Sequence, residues 1–381
     1  MDISKSIRYV GVMDREIDLF EGQYLVPDGV SYNSYLIIDE KCAVMDSTDA
    51  RFADEWIANI AAVLGERTPD YLVVQHMEPD HSGSIAAFRR AFPSAAIVSS
   101  EKAFAMMKSF FGEGIAEGGI RVKEGDTLPL GDHTLRFIGA PMVHWPEVTV
   151  SFEEREGVLF SADSFGRFGS TDESDPWDKE GRRYYIGIVG KYGIPVRNLL
   201  AKLAGKDVRA IAPLHGPVLT KDLERYIELY RKWASYEPEE KGVTVAYASI
   251  YGNTGRAAKE LAEELKARGK TVALFDLARC DVHEAVASAF RFDTLVLASA
   301  TYNGGVFPAM RSYITALTER GFTSRRVALI ENGSWAPAAA KTMRELLSEA
   351  KSITFHEREI RITSAPNDAT RAEISALASE L

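Results

Sequence analysis

The chain has 381 residues, 46% hydrophobic and 26% charged, a balance ordinary for a globular protein of two or three domains. A net charge of −10 argues against a nucleic-acid binder, which would carry a basic face. No apolar run is long enough to span a bilayer, and residues 1–6 lack the basic-then-apolar pattern of a signal peptide, so cytoplasm is the expected location.

In chain order, residues 35–38 and 42–45 are apolar runs joined by Asp39, Glu40 and Lys41, a hairpin signal. A helix is expected over 53–64, with Trp56, Ile57, Ile60, Ala61 and Leu64 on one face. A strand over 71–75 follows, then a helix from about residue 82, a strand at 96–98 and a helix over 101–111. Further strands are expected at 134–138, 158–160 and 210–214, and an amphipathic helix over 222–234. This order fits an αββα sandwich. Cys42 and Cys280 fall in different halves without a CxxC partner and read as buried thiols.

The strand over 71–75 runs into His76, Met77, Glu78, Pro79, Asp80 and His81. Two imidazoles and two carboxylates in six residues, at a strand end, project several metal ligands toward one point. The chain holds only seven histidines, so the remaining ligands are quickly sought. His144, Asp163 and His215 each follow a predicted strand. His133, His283 and His356 have no such setting and read as core or surface residues. Four His, two Asp and one Glu result. Three carboxylates cancel three of the four charges of two divalent ions, and a bridging hydroxide would cancel the last. Glu78 is a hard anionic ligand, better matched to iron or manganese than another imidazole would be.

Residues 235–242 contain a proline, a charge run and a glycine, and mark a hinge. The domains expected are 1–240 and 243–381. In the second, strands at 243–248, 271–275, 294–298, 326–330 and 360–362 alternate with helices near 255–268, 309–320, 338–350 and 370–381. That pattern describes a doubly wound, five-stranded parallel sheet. Its first strand ends in Ser249, Ile250, Tyr251, Gly252, Asn253 and Thr254, just before a helix. Free N–H groups there make an anion site. Neither a nucleoside-triphosphate loop nor a dinucleotide fingerprint is present, so a single phosphate monoester such as that of FMN suits it. Thr301, Tyr302, Asn303, Gly304 and Gly305 follow the third strand, and Asn332, Gly333, Ser334 and Trp335 the fourth. These loops offer aromatic faces and accessible backbone to a flat ring.

Taken together, the motif H-x-E-x-D-H with a later His, Asp and His, followed by these three loops, resembles the flavodiiron proteins over essentially the whole chain. The resemblance implies a metallo-β-lactamase-like domain followed by a flavodoxin-like domain. It implies that His76, Glu78 and His144 bind one iron, that Asp80, His81 and His215 bind another, and that Asp163 bridges. It implies FMN in the second domain, reduction of O2 or NO, and a head-to-tail homodimer or dimer of dimers. No rubredoxin or flavin-reductase segment follows Leu381, so a separate donor such as rubredoxin is expected. Many relatives carry a further His where this chain has Phe20, Glu21, Gly22 and Gln23, and another after the bridging Asp, where it has Ser164, Phe165, Gly166, Arg167 and Phe168. Ala300 stands where proline is common. The alternative reading is a zinc hydrolase, whose metal hydroxide would attack an ester or lactam, fused to a flavodoxin-like docking module.

Overall fold

The computed structural model describes residues 2–172 and 176–381. The chain divides into two compact units, Met1–Arg231 and Lys232–Leu381. Two sheets build the first. One has the spatial order Ile7–Tyr9, Tyr35–Ile37, Ala43–Met45, Tyr71–Val73, Ala96–Ser99, Ile120–Arg121. The other runs Thr127–Pro129, Thr134–Gly139, Thr149–Glu153, Val158–Phe160, Ala210–Ala212.

The period-two pattern of these strands puts alternate residues into one shared core. Tyr35, Ile37, Ala43 and Met45 of the first sheet meet Leu135, Phe137, Val158 and Phe160 of the second. Each large apolar side chain buried there contributes roughly 1.5–3 kcal/mol. The sandwich therefore has its strand ends held rigidly, and the site grows from those ends. The helix Ala53–Leu64 buries Trp56, Ile60 and Leu64, four residues apart. The helix Glu101–Phe111 starts where the Ser100 hydroxyl accepts the Ala103 N–H.

Some elements lie outside the sequence expectation. Short strands at Ile7–Tyr9, Val12–Asp14, Leu19–Phe20, Tyr24–Leu25 and Val30–Tyr32 precede the hairpin. The helix Trp177–Tyr184 continues through a π turn, Tyr185–Val189, toward the helix Gly193–Leu203. Glycines disguise it in the sequence, and they are there for packing. A Cβ on Gly181 would stand 2.8 Å from the Trp177 ring, and one on Gly187 2.7 Å from the Tyr24 ring.

The second unit is a parallel sheet ordered Val272–Asp276, Glu240–Ala248, Phe292–Tyr302, Arg326–Asn332, Thr354–Ile362. The first strand in sequence thus lies second in space, as in flavodoxin-like sheets. Helices Asn253–Ala267 and Asp368–Glu380 cover one face through Leu261, Leu265, Ile374 and Leu377. The first strand starts at Glu240, earlier than the expected residue 243, so the hinge is shorter than its composition suggests. The helix Val282–Arg291 was not expected. Its alanines carry little periodic signal, though Asp281 caps it by accepting the His283 N–H. Cys42 is buried, whereas Cys280 is half-buried instead of buried as expected. Among the described residues no helix is long and apolar enough to cross a membrane.

Candidate active site

His76 leaves the strand Tyr71–Val73 under the control of Asp46, whose Oδ1 accepts the Gln75 N–H at 2.7 Å and the His76 N–H at 3.3 Å. Pro79 opens the short helix Pro79–Ser82, which sets Asp80 and His81 in the next turn. His144, Asp163 and His215 sit on loops just past the strands Thr134–Gly139, Val158–Phe160 and Ala210–Ala212. Met142, Ala162 and Phe165, beside these ligands, hold left-handed backbone conformations. Such conformations cost about 1–3 kcal/mol each in residues other than glycine and cluster at functional sites.

The seven side chains gather as two sets. His76, Glu78, His144 and Asp163 form one, with a donor atom from each lying within 4.8 Å of the others, and Asp80, His81 and His215 form a second of the same tightness. Asp163 joins them. Its Oδ2 lies 3.2 Å from His76 Nε2 and 3.1 Å from His144 Nε2, and its Oδ1 lies 3.3 Å from His81 Nε2 and 3.7 Å from His215 Nε2. Both oxygens of Asp80 and Oδ1 of Asp163 are buried without a hydrogen-bond partner. Buried carboxylate oxygens left so carry a large desolvation cost that a cation would offset. Four imidazoles and three carboxylates are a donor set suited to first-row divalent metals, and two such ions fit it.

Electrostatics of the site follow from this crowding. Burial alone would lower the pKa of His76, His81 and His144. The surrounding carboxylates of Asp163, Glu78 and Asp80 outweigh it, so all three are raised, His144 to about 9. Burial would raise Asp163 and Glu78, but the same imidazoles hold both below the usual carboxylate range. The outer nitrogens are also engaged. His76 Nδ1 pairs with Glu147 Oε1 at 2.9 Å, and His215 Nδ1 donates to Ser31 O at 2.7 Å, leaving each Nε2 facing the cage. Sequence reading missed Glu147, whose partner is His76 and not the nearby His144, so its place in the chain carried no signal.

Aromatic rings wall the cage. Phe20 and Tyr184 stand 5.3 and 5.4 Å from the His215 ring, and Trp145 stands 5.3 Å from that of His76. Phe168 packs on Phe20 at 5.5 Å. Glu21, at the tip of the hairpin that carries Phe20, is exposed as a whole residue while its carboxyl leans toward Glu78. Partial burial, with the Glu78 charge added, pushes that carboxyl up to about 7, against the pull of His144 and Gln23. Of the remaining histidines, His133 is a buried core residue whose Nδ1 pairs with buried Glu153 at 3.0 Å.

In the second unit, a cavity of 470 Å³ opens among the loops that follow the first, third and fourth strands. It lies where the strand order reverses, the usual ligand position in such sheets. Ser249, Ile250, Tyr251, Asn253, Thr254, Thr301, Asn303, Gly304, Asn332, Gly333, Ser334 and Trp335 line it. Gly252, Tyr302 and Gly305 do not. Gly252 supplies the left-handed turn, φ 88°, that starts the helix Asn253–Ala267. Tyr302 packs on Phe307. The Thr301 hydroxyl accepts the Ala338 and Ala339 N–H groups, so it fixes the loop after the fourth strand. Ser364, missed in the sequence, joins the lining and holds the Asn332 amide through its carbonyl at 3.1 Å. Tyr251 and Trp335 are 93% and 83% exposed. Aromatic faces bare at a cavity mouth fit a planar ring, and the helix N-terminus with Ser249 and Thr254 fits a phosphate.

Comparisons with known proteins agree with this layout. Residues 30–216 match the ODP family beta lactamase, and residues 244–357 match a flavodoxin domain. The chain is 30% identical over 365 residues to the nitric oxide reductase of Moorella thermoacetica, covering 92% of this chain and 90% of that protein. It is 28% identical over 362 residues to the anaerobic nitric oxide reductase flavorubredoxin of Salmonella typhi, covering 91% and 75%. Among solved structures, the rubredoxin oxygen:oxidoreductase of Desulfovibrio gigas superposes with a TM-score of 0.91 at 26% identity, over 100% of this chain and 96% of that one. The flavodiiron protein of Giardia intestinalis superposes at 0.92 and 26%, over 100% and 95%.

Proposed function

The chain belongs to the flavodiiron proteins, and on that premise we propose that it reduces O2 to water, NO to N2O, or both, at two irons. In this reading His76, Glu78 and His144 hold one iron, Asp80, His81 and His215 hold the other, and Asp163 bridges. The observation that carries it is the division of Asp163, one oxygen toward each set. When bound, the iron pair and FMN supply open coordination positions and electrons, four for one O2 or two for two NO.

The chain's own residues prepare that chemistry. Three carboxylates leave two divalent ions one positive charge in excess, which favours an anionic or polarisable small ligand between them. Glu147 and the Ser31 carbonyl orient His76 and His215, so their Nε2 lone pairs need no rearrangement. Phe20, Tyr184 and Trp145 restrict water around the ligands. Ser249, Thr254 and the N-terminus of the helix Asn253–Ala267 would hold the FMN phosphate, and Tyr251 and Trp335 would flank its ring. Electrons come from a separate donor such as rubredoxin. Two chains pair head to tail, so that the flavin of one serves the metals of its partner.

The alternative, a zinc hydrolase with a docking module, gives no role to the cavity bounded by Ser249, Thr254, Tyr251 and Trp335, and the hard carboxylate of Glu78 suits iron better than another imidazole would. Metal and flavin analysis of the purified protein, followed by anaerobic turnover of the reduced protein with O2 and NO in parallel, tests the proposal. Two irons and one FMN per chain, with rapid consumption of either gas, are expected. Two zincs and no flavin would refute it.

A further inference from the structure

The four imidazoles of the cage are held from behind in different ways. His76 Nδ1 pairs with Glu147 Oε1 at 2.9 Å, and the same oxygen accepts the Met77 N–H at 2.8 Å. Glu147 is only 2% exposed. His215 Nδ1 instead donates to a neutral peptide oxygen, Ser31 O, at 2.7 Å. His81 Nδ1 is buried with no hydrogen-bond partner. In other respects the two sets are alike. Each has two imidazoles, one carboxylate of its own and one oxygen of Asp163. The donors that face the cage therefore match in charge, and the difference lies behind the rings.

An imidazole whose Nδ1–H donates to a carboxylate is a stronger base at Nε2, because the shared proton shifts electron density across the ring. A carboxylate buried beside the ring is poorly screened, so its charge is also felt directly at the cage. A peptide carbonyl orients its ring equally well but brings no net charge. We propose that Glu147 makes the two metal positions unequal: the one formed by His76, Glu78 and His144 binds a divalent cation more tightly than the one formed by Asp80, His81 and His215. Glu147 acts through His76 and is a positioning residue. The inference rests on the cage being a dinuclear metal site, and not on the metal being iron.

The test is a titration of the metal-free full chain with Co2+, followed by its visible absorption bands. The wild-type protein should fill in two resolved steps. Glu147→Gln keeps the shape and an acceptor for the Met77 N–H while deleting the charge. It should weaken the tighter step 10–100-fold and leave the weaker one in place. Glu147→Asp, which keeps the charge, should recover part of the loss. A purely structural role would instead lower the urea midpoint and weaken both steps together. Asp80→Asn assigns the steps, since it should abolish the weaker one and spare the tighter. Equal steps in the wild type overturn the proposal. So does an effect of Glu147→Gln on both steps or on neither, or loss of the tighter step in Asp80→Asn. Should Glu147→Gln fail to fold, Glu147→Asp carries the test: its shorter reach to His76 should weaken the tighter step alone, and an effect on both steps or on neither overturns the proposal. Absence of any Co2+ binding would sink the dinuclear reading itself, a result distinct from two equal steps.

Discussion

Replacing Asp163 by Asn keeps the shape of a side chain that is 1% exposed and removes one negative charge from the cage. The geometry says where the loss falls. Oδ2 serves His76 and His144 at 3.2 and 3.1 Å, and Oδ1 serves His81 and His215 at 3.3 and 3.7 Å, so both metal positions lose the shared charge and the one left facing the amide nitrogen also loses its donor. Removing one partner from a buried charged set costs about 3–5 kcal/mol. At about 1.4 kcal/mol per factor of ten, each position should weaken by roughly two to three and a half orders of magnitude. His81→Asn makes the contrast, since it takes a donor from one set alone and should weaken that set. The assay is metal content after dialysis against graded chelator, with circular dichroism to establish that the fold survives. Wild-type metal retention in Asp163→Asn would refute the assignment. Wild-type affinity at either position there would refute the bridging role in particular.

Other outcomes follow from the same structure. Trp335→Ala combined with Thr254→Ala should lose FMN, since stacking and a phosphate hydrogen bond contribute about 1–3 kcal/mol each; unchanged flavin affinity in the double variant would contradict the cavity assignment. Metal binding should release protons. His144 in the metal-free chain holds its proton up to about pH 9, so a metal must displace it at any lower pH. Apparent affinity should then fall tenfold per unit through this proton alone, about 100-fold from pH 9 to pH 7. A flat profile in chelator competition over that range would count against the raised His144. Finally, exchanging subunits between His81→Asn chains and Trp335→Ala/Thr254→Ala chains should restore gas reduction if the flavin of one chain serves the metals of the other. No recovery despite demonstrated mixing would place transfer within one chain.

What the sequence disclosed depended on how local each signal was. His76, Glu78, Asp80 and His81 stand out because one tight turn compresses four ligands into six residues. His144, Asp163 and His215 are scattered, but each follows a short apolar strand, and strand ends are where such a fold places its chemistry. Glu147 escaped notice because its role depends on which imidazole nitrogen faces the cage, and spacing does not reveal that. Ser364 escaped because it follows a fifth strand whose middle, His356 to Glu359, is polar as an edge strand tends to be. No element was expected for the glycine-rich helix from Trp177 onward, since Gly181 and Gly187 answer to the rings of Trp177 and Tyr24 and not to helix propensity.

The cage also depends on residues that offer it no ligand. Its loops would be loose if only the ligands tied them together, yet one buried segment anchors two of them. The Asn33 amide donates to Pro213 O and Gly216 O, both at 2.8 Å, and so clamps the loop that bears His215. The Tyr35 hydroxyl donates to the same Pro213 oxygen at 2.8 Å. Ser34 donates to Asp46 O, and Asp46 in turn receives the Gln75 and His76 N–H groups. Ser31 holds the His215 ring through its carbonyl and the Gly216 N–H through its hydroxyl. Residues 31–35 therefore fix His76 of one set and His215 of the other against the same segment. Each of these bonds is buried, and leaving one such polar group unsatisfied costs about 1–3 kcal/mol. Movement of either loop breaks several at once, so the ligands are held before any metal arrives. The cost of ordering them is met by folding, and metal binding can be spent on affinity instead.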